Sequence, residues 1–488
     1  MRTNTEKVIS SLHTDFYQIN MGNVYFNDGI HEKKSVFNVY FRKLPFGNGY
    51  AVFMGLRRVL DYLKNFHFTD EQLHYLRTLG FKEDYLSYLS TMKFTGTIRS
   101  IAEGEICFAN EPILTVEAPL IQAQWVETAI LNIVNYQTLV ATKASRIRHV
   151  AGNDVVMEFG TRRAQEESAS LWGARASVLS GFDGTSNVQA GFQFDLPLSG
   201  THAHALVQAY GDELTAFRKY AETHQDCVFL VDTYDTLRSG VPNAIKVAKE
   251  FGEKIRFKGI RLDSGDLAYL SKEARKMLDE AGFTEAKIVA SNDLDEETII
   301  HLKMQGAKID VWGIGTKNIT CYDDPALGGV YKLAAIENEE GRIEDRIKIS
   351  SNPIKTSTPS SKNLYRLYDK DNGHALVDVI TTIDEKINEN EPITLFDPTH
   401  TYLEQTFENF TVRCLLNEYV RDGVFIETYP SNEQIKIFNQ NELTCFWEEI
   451  KRTHNPHNYY VDYSAQLYER KMNAIKEERE KIQKRKKD

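Results

Sequence analysis

The chain has 488 residues, of which 42% are hydrophobic and 11% aromatic, and its formal net charge is −11 at pH 7. This length predicts two or three domains of globular composition, and no run of about 18 apolar residues indicates a membrane span. The acidic balance argues against non-specific binding to nucleic acid, which depends on a basic surface.

The N-terminal part of the chain predicts an α+β domain over residues 1–135. β-rich runs lie between Ser35 and Val116, together with an amphipathic helix near Leu56 to Phe66. The first residues hold no apolar stretch typical of a secretory signal, so we expect a cytoplasmic protein. Apolar positions at helical spacing from Ile121 to Val150 predict one or two helices that lead into the next domain.

After Gly152 short apolar strands alternate with amphipathic helices, which predicts a parallel α/β domain over residues 136–350. The spacing of roughly 25 to 35 residues is that of right-handed βαβ crossovers. Helices are predicted at 242–251 and at 267–280, the second capped by Asp266. The predicted strands lie at 155–159, 194–199, 228–231, 259–262, 287–290 and 309–313.

Parallel strands of this kind form either an open doubly wound sheet or a closed barrel, and we favour an irregular barrel. In both architectures ligands bind beyond the carboxyl ends of the strands. From residue 351 the chain becomes polar, and residues 351–488 predict a smaller C-terminal α/β region. Its last stretch predicts a charged, solvated helix.

Polar and charged side chains are concentrated at the carboxyl ends of the predicted strands, where a packing layer would be apolar. Each has a structural explanation when taken singly, such as a helix cap for Asp266, but together they indicate a binding site. The residues in question are Arg162, Arg163, Thr201, His202, His204, Asp232, Asp235, Arg261, Asp263, Asp266, Asn292, Asp293 and Thr316.

These residue types suit an anionic substrate. The glycine-rich turn at 313–316 can direct backbone amides at a phosphate, and Arg162 offers a planar fork for phosphate oxygens. Asp263 and Asp266 can hold a hydrated Mg²⁺ or ribose hydroxyls. Arg261 lies on the same side of its strand as Asp263 and can pair with a substrate carboxylate.

A rival hypothesis is a metal-dependent hydrolase, because His202 and His204 alternate onto one face as in an HxH zinc site. Such a site needs further histidines at later strand ends. The chain offers none there, since His224 and His301 fall in predicted helices or at their ends. No Walker A sequence occurs, so a nucleotide triphosphate would have to bind in another way.

Eight segments together resemble the nicotinate phosphoribosyltransferase family, in order and spacing, from Leu12 to about Lys332. They read LHTDFYQINM, EFGTRRAQ, GTSNV, SGTHAHALVQAYGDELTAF, VDTYDT, GIRLDSGDL, SNDLDE and DVWGIGT. The resemblance implies that nicotinate and 5-phosphoribosyl 1-pyrophosphate form nicotinate mononucleotide and pyrophosphate in NAD salvage, coupled to ATP hydrolysis. It also implies an α+β domain beside an irregular α/β barrel, and a homodimer with shared active sites.

The resemblance assigns nicotinate binding to four positions, and Ser186 bears on the choice of substrate. Phe159 and Tyr17 are expected to sandwich the pyridine ring, with Tyr17 supplied by the partner subunit, and Thr201 and Arg261 match the nicotinate-binding positions. The alternative within this class is a nicotinamide phosphoribosyltransferase, which has an acidic residue where this chain has Ser186. The absence of that negative charge favours the acid substrate. A non-catalytic sensor of NAD precursors is a third hypothesis, which the filled chemical positions argue against.

The remaining expected roles concern the sugar, the metal and ATP. Arg162 and Thr316 match positions that contact the phosphoribosyl group, and Asp263 lies where ribose and Mg²⁺ are handled. His204 matches the residue that the family phosphorylates with ATP, so the expected catalytic set is His204, Asp263 and Arg162. The expected substrate-binding set is completed by Asp266, Asn292 and Gly315.

Overall fold

The computed structural model describes residues 8–352, 355–398, 400, 402–426 and 428–485. These form two compact units: the first takes the chain up to residue 139 and again from residue 326, and the second comprises residues 140–325. Within the described ranges no helix is both long enough and apolar enough to cross a membrane.

The first part of the first unit mixes helices with short strands that pair antiparallel, and the helices at Asp70–Thr78 and Glu83–Thr91 are present in addition to the one predicted there. The helix predicted near Leu56 is confirmed, and the helical stretch from 121 to 150 is two helices, of which the second continues into the next unit. The elements are α1 (Phe16–Asn27), β1 (Lys34–Phe41), β2 (Ala51–Val52), α2 (Leu56–Lys64), α3 (Asp70–Thr78), α4 (Glu83–Thr91), β3 (Thr97–Ser100), β4 (Ile106–Cys107), β5 (Leu114–Pro119), α5 (Leu120–Trp125) and α6 (Glu127–Ala151).

The second unit is a βα repeat. Short 3₁₀ and π turns at Thr161–Arg163 and Thr236–Gly240 follow its first and third strands. Its elements are β6 (Val155–Glu158), α7 (Glu167–Leu179), β7 (Gly184–Thr185), α8 (Val188–Phe194), α9 (His204–Tyr210), α10 (Glu213–Thr223), β8 (Asp226–Leu230), α11 (Val241–Phe251), β9 (Arg256–Leu262), α12 (Leu267–Glu280), β10 (Lys287–Ser291), α13 (Glu296–Met304), β11 (Val311–Ile314) and α14 (Thr316–Ile319).

All six strands of this unit are parallel, in the order β7-β6-β11-β10-β9-β8, which confirms the predicted direction. The strand predicted at 194–199 is wrong. Residue 194 ends α8, Asp195 has a φ of +54°, and only Leu198 forms an isolated bridge to Thr185. Residues 197–199 run beside β7 only at this bridge, where the Pro197 carbonyl accepts the Thr185 amide and the Ser199 amide donates to the Thr185 carbonyl, both at 3.0 Å.

The remainder of the first unit is mainly β. The charged helix predicted at the end of the chain is confirmed as the last element. The elements are β12 (Gly329–Glu337), β13 (Ile343–Asp345), β14 (Lys362–Asp369), β15 (Ala375–Thr382), β16 (Ile393–Phe396), β17 (Glu404–Phe407), β18 (Phe410–Cys414), β19 (Asn417–Arg421), β20 (Val424–Phe425), α15 (Asn432–Thr444), α16 (Glu448–Lys451), β21 (Val461–Ser464) and α17 (Ala465–Arg485).

Two larger sheets organise the first unit. One has the order β13-β12-β1-β5-β3-β19-β20, and the other has the order β17-β16-β21-β15-β14-β18. β12 pairs antiparallel with β1, although residues 326–350 were expected in the parallel domain. The division therefore differs from the three consecutive segments expected from sequence, because antiparallel pairing between distant strands leaves no local pattern.

A buried ionic network joins β14, β15 and β18 to β4 and α15. The guanidinium of Arg366 donates to Asp378 at 2.6 and 2.7 Å and to Glu105 at 2.7 Å, and neither Arg366 nor Asp378 is exposed. Arg413 donates to Glu105 at 2.8 Å and to Glu442 at 2.6 Å. A buried network of this kind specifies one arrangement of strands more than it stabilises the fold.

Glu442 gives the first unit a testable pH dependence. Burial, and then the nearby charge of Glu105, raise the pKa of Glu442 to about 7. Since the folded pKa lies above the unfolded value, this contribution to stability is complete below the unfolded pKa and is lost as pH rises through about 7. In thermal unfolding, the Tm of Glu442→Gln minus the Tm of the parent should therefore become more positive as pH rises from about 5 to about 8. Glu433→Gln on the same helix is the control, and a pH-independent difference for Glu442→Gln would contradict the assignment.

Candidate active site

The side chain of Arg261 is held from three directions at the carboxyl end of β9. Its Nε donates to Ser291 Oγ at 2.9 Å, Nη1 to Thr201 Oγ1 at 3.2 Å and Nη2 to Asp263 Oδ1 at 2.8 Å. The guanidinium carbon lies 5.6 Å from the centre of the Phe159 ring. The structure thus brings together four predicted site residues, and it leaves part of the fork and one aromatic face for a ligand.

His204 begins α9 and lies beside the same cluster. Its Nδ1 is 3.1 Å from Thr233 Oγ1, and its Nε2 is 3.9 Å from both Asp232 Oδ1 and Asp263 Oδ2. The imidazole is 38% exposed. An accessible imidazole between a hydroxyl and two carboxylates can carry a proton or a phosphoryl group.

Asp232 is the residue that sequence reasoning placed at a strand end without giving it a role. Its side chain is 2% exposed, and Oδ2 accepts from the Asp263 amide at 2.8 Å and from Ser264 Oγ at 2.7 Å. Oδ1 has no hydrogen-bond partner among the residues that the structure describes. A buried carboxylate oxygen without a donor is costly, so this atom marks a position suited to a cation.

His202 does not form a metal pair with His204. Its Nε2 accepts the backbone N–H of Leu230 at 3.1 Å, and its ring packs against Phe217 and Tyr220. Burial lowers the pKa of His202 to about 4, so the ring is neutral and structural. Across the described part of the chain, no group of three or more His, Cys, Asp or Glu side chains is arranged to hold a metal ion.

Phe159 is positioned by its backbone neighbours. A Cβ on Gly313 would lie 2.6 Å from the Phe159 ring, so only glycine leaves room for the ring against β11. The fully buried carboxylate of Glu158 accepts from Thr185 Oγ1 at 2.5 Å and from the Gly160 amide. Burial raises the pKa of Glu158. Glu158 therefore ties together the ends of β6 and β7, a role with no signal in the sequence.

Two predicted phosphate-binding elements follow adjacent strands. β6 and β11 pair in parallel, so the turn that carries Arg162 and the turn that carries Gly315 and Thr316 leave the same edge of the sheet. Arg162 is exposed and has no hydrogen bond or ion pair in the described ranges. Gly315 adopts φ −122° and ψ −102° immediately before α14.

The other predicted residues are less closely grouped. Ser186 follows β7 and donates its amide to the Glu158 carbonyl at 2.9 Å. Asp266 caps α12 through the Tyr269 amide at 3.0 Å, as its structural interpretation predicts. Asn292 is exposed after β10 with a φ of +92°, an uncommon conformation for a non-glycine residue. Tyr17 belongs to the first unit, on α1, with half of its side chain exposed.

Comparison with known proteins decides the family. Models of the nicotinate phosphoribosyltransferase family match the chain over residues 12–135 for its N-terminal domain, 155–388 for the family itself and 361–471 for its C-terminal domain. A nicotinate phosphoribosyltransferase of Bacillus subtilis is 57% identical over 474 residues, which are 97% of this chain and 96% of that protein. The chain belongs to the nicotinate phosphoribosyltransferase family.

Solved structures agree with this family assignment. The crystal structure of human nicotinic acid phosphoribosyltransferase matches with a TM-score of 0.83 at 30% identity, over 93% of this chain and 98% of that one. A nicotinate-nucleotide pyrophosphorylase from Pyrococcus furiosus shares the fold, with a TM-score of 0.68 at 21% identity. The mixed α/β architecture is therefore that of nicotinate phosphoribosyltransferase structures.

Proposed function

We propose that the chain condenses nicotinate with 5-phosphoribosyl 1-pyrophosphate to nicotinate mononucleotide and pyrophosphate in NAD salvage. The observation that carries this proposal is the Arg261 guanidinium fixed beside the Phe159 ring, because an aromatic carboxylate needs a cation and an aromatic face side by side. Full-length similarity to the Bacillus subtilis enzyme supports the same activity.

Nicotinate binds through its ring and its carboxylate. The ring stacks on Phe159 and on Tyr17 of the partner subunit, while Arg261 and Thr201 take the carboxylate. Ser186 adds no negative charge, so it does not repel the acid as an aspartate would. This argues against nicotinamide as the substrate, since a neutral amide gains little from Arg261.

The phosphoribosyl group binds at the edge where β6 and β11 end. Arg162 has its guanidinium free in the described structure and can form a fork with phosphate oxygens. The backbone amides of Gly315 and Thr316 can donate to the same phosphate. Asn292 and the second carboxylate oxygen of Asp266 are the remaining candidates for hydrogen bonds to the sugar.

The carboxylates of Asp232 and Asp263 fit a hydrated Mg²⁺. Among the described residues, Oδ1 of Asp232 is buried without a donor. This atom and Oδ2 of Asp263 each lie 3.9 Å from Nε2 of His204. Two carboxylates are typical of magnesium sites that complete their coordination with water and substrate phosphates. When bound, the ion would neutralise negative charge on the leaving pyrophosphate.

For the exchange of bonds at C1 of the ribose, the protein has to position the two substrates and does not have to form a covalent intermediate. As pyrophosphate leaves, positive charge develops on C1, and the ring nitrogen of nicotinate must approach in line. Phe159 and Arg261 orient that nitrogen, and Arg162 holds the sugar phosphate. Asp263 stays near the sugar while its contact with Arg261 keeps both groups in register.

We further propose that His204 is a phosphocarrier for ATP. Thr233 occupies Nδ1, and Nε2 faces Asp232 and Asp263, so the ring is held in one orientation. The imidazole takes the γ-phosphoryl group of ATP as the bond from the γ-phosphorus to the bridging oxygen breaks and ADP leaves. The nitrogen–phosphorus bond so formed is labile, and its hydrolysis can be coupled to the condensation. Transfer of the phosphoryl group to water then returns a free imidazole.

Two architectural features also belong to this proposal. The six-stranded parallel sheet is the main part of an irregular α/β barrel, and the cytoplasmic enzyme works as a homodimer in which Tyr17 completes the partner's site. The parallel direction of all six strands supports the barrel. The exposed ring of Tyr17 supports a contact with the partner subunit.

A product assay tests the activity itself. Nicotinate, nicotinamide and quinolinate are each supplied with 5-phosphoribosyl 1-pyrophosphate and Mg²⁺, with and without ATP. We expect mononucleotide from nicotinate, at a higher rate when ATP is present. Product from nicotinamide alone would contradict the assignment of Arg261, and no product from any substrate would refute the proposed function.

Arg261→Ala should raise the KM for nicotinate about a hundredfold, because the carboxylate loses its charged partner. The KM for 5-phosphoribosyl 1-pyrophosphate should change much less. Steady-state kinetics on both substrates checks this, with Arg275→Ala on α12 as a control. Equal effects on the two substrates would show that Arg261 does not bind the carboxylate.

His204→Ala should abolish stimulation by ATP and leave slow ATP-independent synthesis, since the condensation does not need the phosphocarrier. The measurement is the initial rate of mononucleotide formation over a range of ATP concentrations, with ADP release recorded in parallel. His224→Ala is the matched control. ATP coupling that survives in His204→Ala would remove His204 from this role.

A further inference from the structure

The two loops that follow β10 and β11 are joined by an ion pair. Nζ of Lys317 lies 3.1 Å from Asp295 Oδ2, and it also sits 4.3 Å from the centre of the Tyr322 ring. Asp295 uses its other oxygen to cap α13 through the Thr298 amide at 2.8 Å. Asp295, in the loop after β10, thus forms an ion pair with Lys317, which directly follows Thr316.

A second ionic bridge joins the start of α13 to the segment after α14. Nζ of Lys143 on α6 lies 2.7 Å from Glu296 and 2.8 Å from Asp323, and Arg146 adds a bond to Glu296 at 2.5 Å. The side chains of Lys143 and Glu296 are only 3% and 6% exposed. Burying such charges costs free energy that an apolar pair would not, so the bridge serves geometry more than stability.

The loops need such support because their backbones are unusual. Asn292 and Asp293 both have positive φ, +92° and +43°, and Cys321 has a φ of +49°. Non-glycine residues persist in these conformations only where the surroundings enforce them. In sequence, Asp295 follows Asn292 and Asp293, and Lys317 lies between Thr316 and Cys321.

We infer that Lys317 and Asp295 are positioning residues that fix the Gly315–Thr316 turn relative to the β10 loop, and so set the grip on the phosphoribosyl group. The inference rests on the proposed function. A direct contact between Lys317 and phosphate is the alternative, and the structure disfavours it because the ammonium is already engaged by Asp295 and Tyr322. The pKa of Asp295 is lowered. Burial alone would raise this pKa, but the hydrogen bonds from Thr298 and Lys317 outweigh the effect of burial.

A double-mutant cycle separates the two possibilities. Lys317→Met and Asp295→Asn should each raise the KM for 5-phosphoribosyl 1-pyrophosphate about tenfold, with the nicotinate KM nearly unchanged. Asparagine still caps α13, so only the charge is lost. The double variant should be no worse than either single variant, because both remove the same pair. Lys317→Arg keeps the positive charge, so its KM for 5-phosphoribosyl 1-pyrophosphate should lie close to that of the parent.

The chain offers a matched control at the opposite end of the same strands. Lys287 Nζ donates to Asp310 Oδ1 at 3.3 Å, near the start of β10 and just before β11. Lys287→Met should leave both KM values unchanged. Hydrogen exchange adds a readout that is independent of catalysis: the amides of 315–320 should exchange faster in Lys317→Met and in Asp295→Asn, but not in Lys287→Met.

The outcomes are distinct. If the parent chain makes no mononucleotide, the proposed function fails. If the parent is active but Asp295→Asn leaves the KM unchanged or lowers it while Lys317→Met raises it, Lys317 contacts phosphate directly and the positioning role is refuted. Unchanged KM values and unchanged exchange in both variants would also overturn the inference.

Discussion

The site depends on one constrained side chain, Arg261 at the carboxyl end of β9. Its guanidinium is shared among Ser291, Thr201 and Asp263, which come from three different segments of the second unit. Parallel pairing in register makes this possible, because Arg261 lies opposite Val289 in β10 and Leu230 in β8. Strand ends therefore gather polar groups that are far apart in sequence at one edge of the sheet.

The charged groups around Arg261 have unequal surroundings. Asp263 pairs with Arg261 and lies 3.9 Å from His204, whereas Asp232 has one buried oxygen without a donor among the described residues. The two neighbouring histidines have different roles, since His202 accepts a backbone amide while His204 faces the carboxylates. The motif of two histidines thus combines a buried structural ring with an accessible one, and it does not form the metal pair that the alternation suggests.

Local signals made some elements predictable and left others hidden. α12 spans the predicted residues: it begins after its cap Asp266 and ends just before Gly282, which has a φ of +88°, because a cap and a glycine act on their own neighbours. The strand expected at 194–199 is not formed because apolar alternation cannot reveal that α8 extends to Phe194 and ends in the left-handed conformation of Asp195. The pairing of β12 with β1 joins residues about 300 positions apart, and no local pattern encodes it. Glu158 and the orphaned oxygen of Asp232 likewise became visible only through burial.

The central claim is that the fixed guanidinium of Arg261 receives the carboxylate of an aromatic acid next to Phe159. A crystal structure of the protein with bound nicotinate tests it most directly. We expect a carboxylate oxygen within hydrogen-bond distance of Arg261 and the pyridine ring stacked on Phe159. A ring bound elsewhere, or a carboxylate turned away from Arg261 toward Arg162, would contradict it.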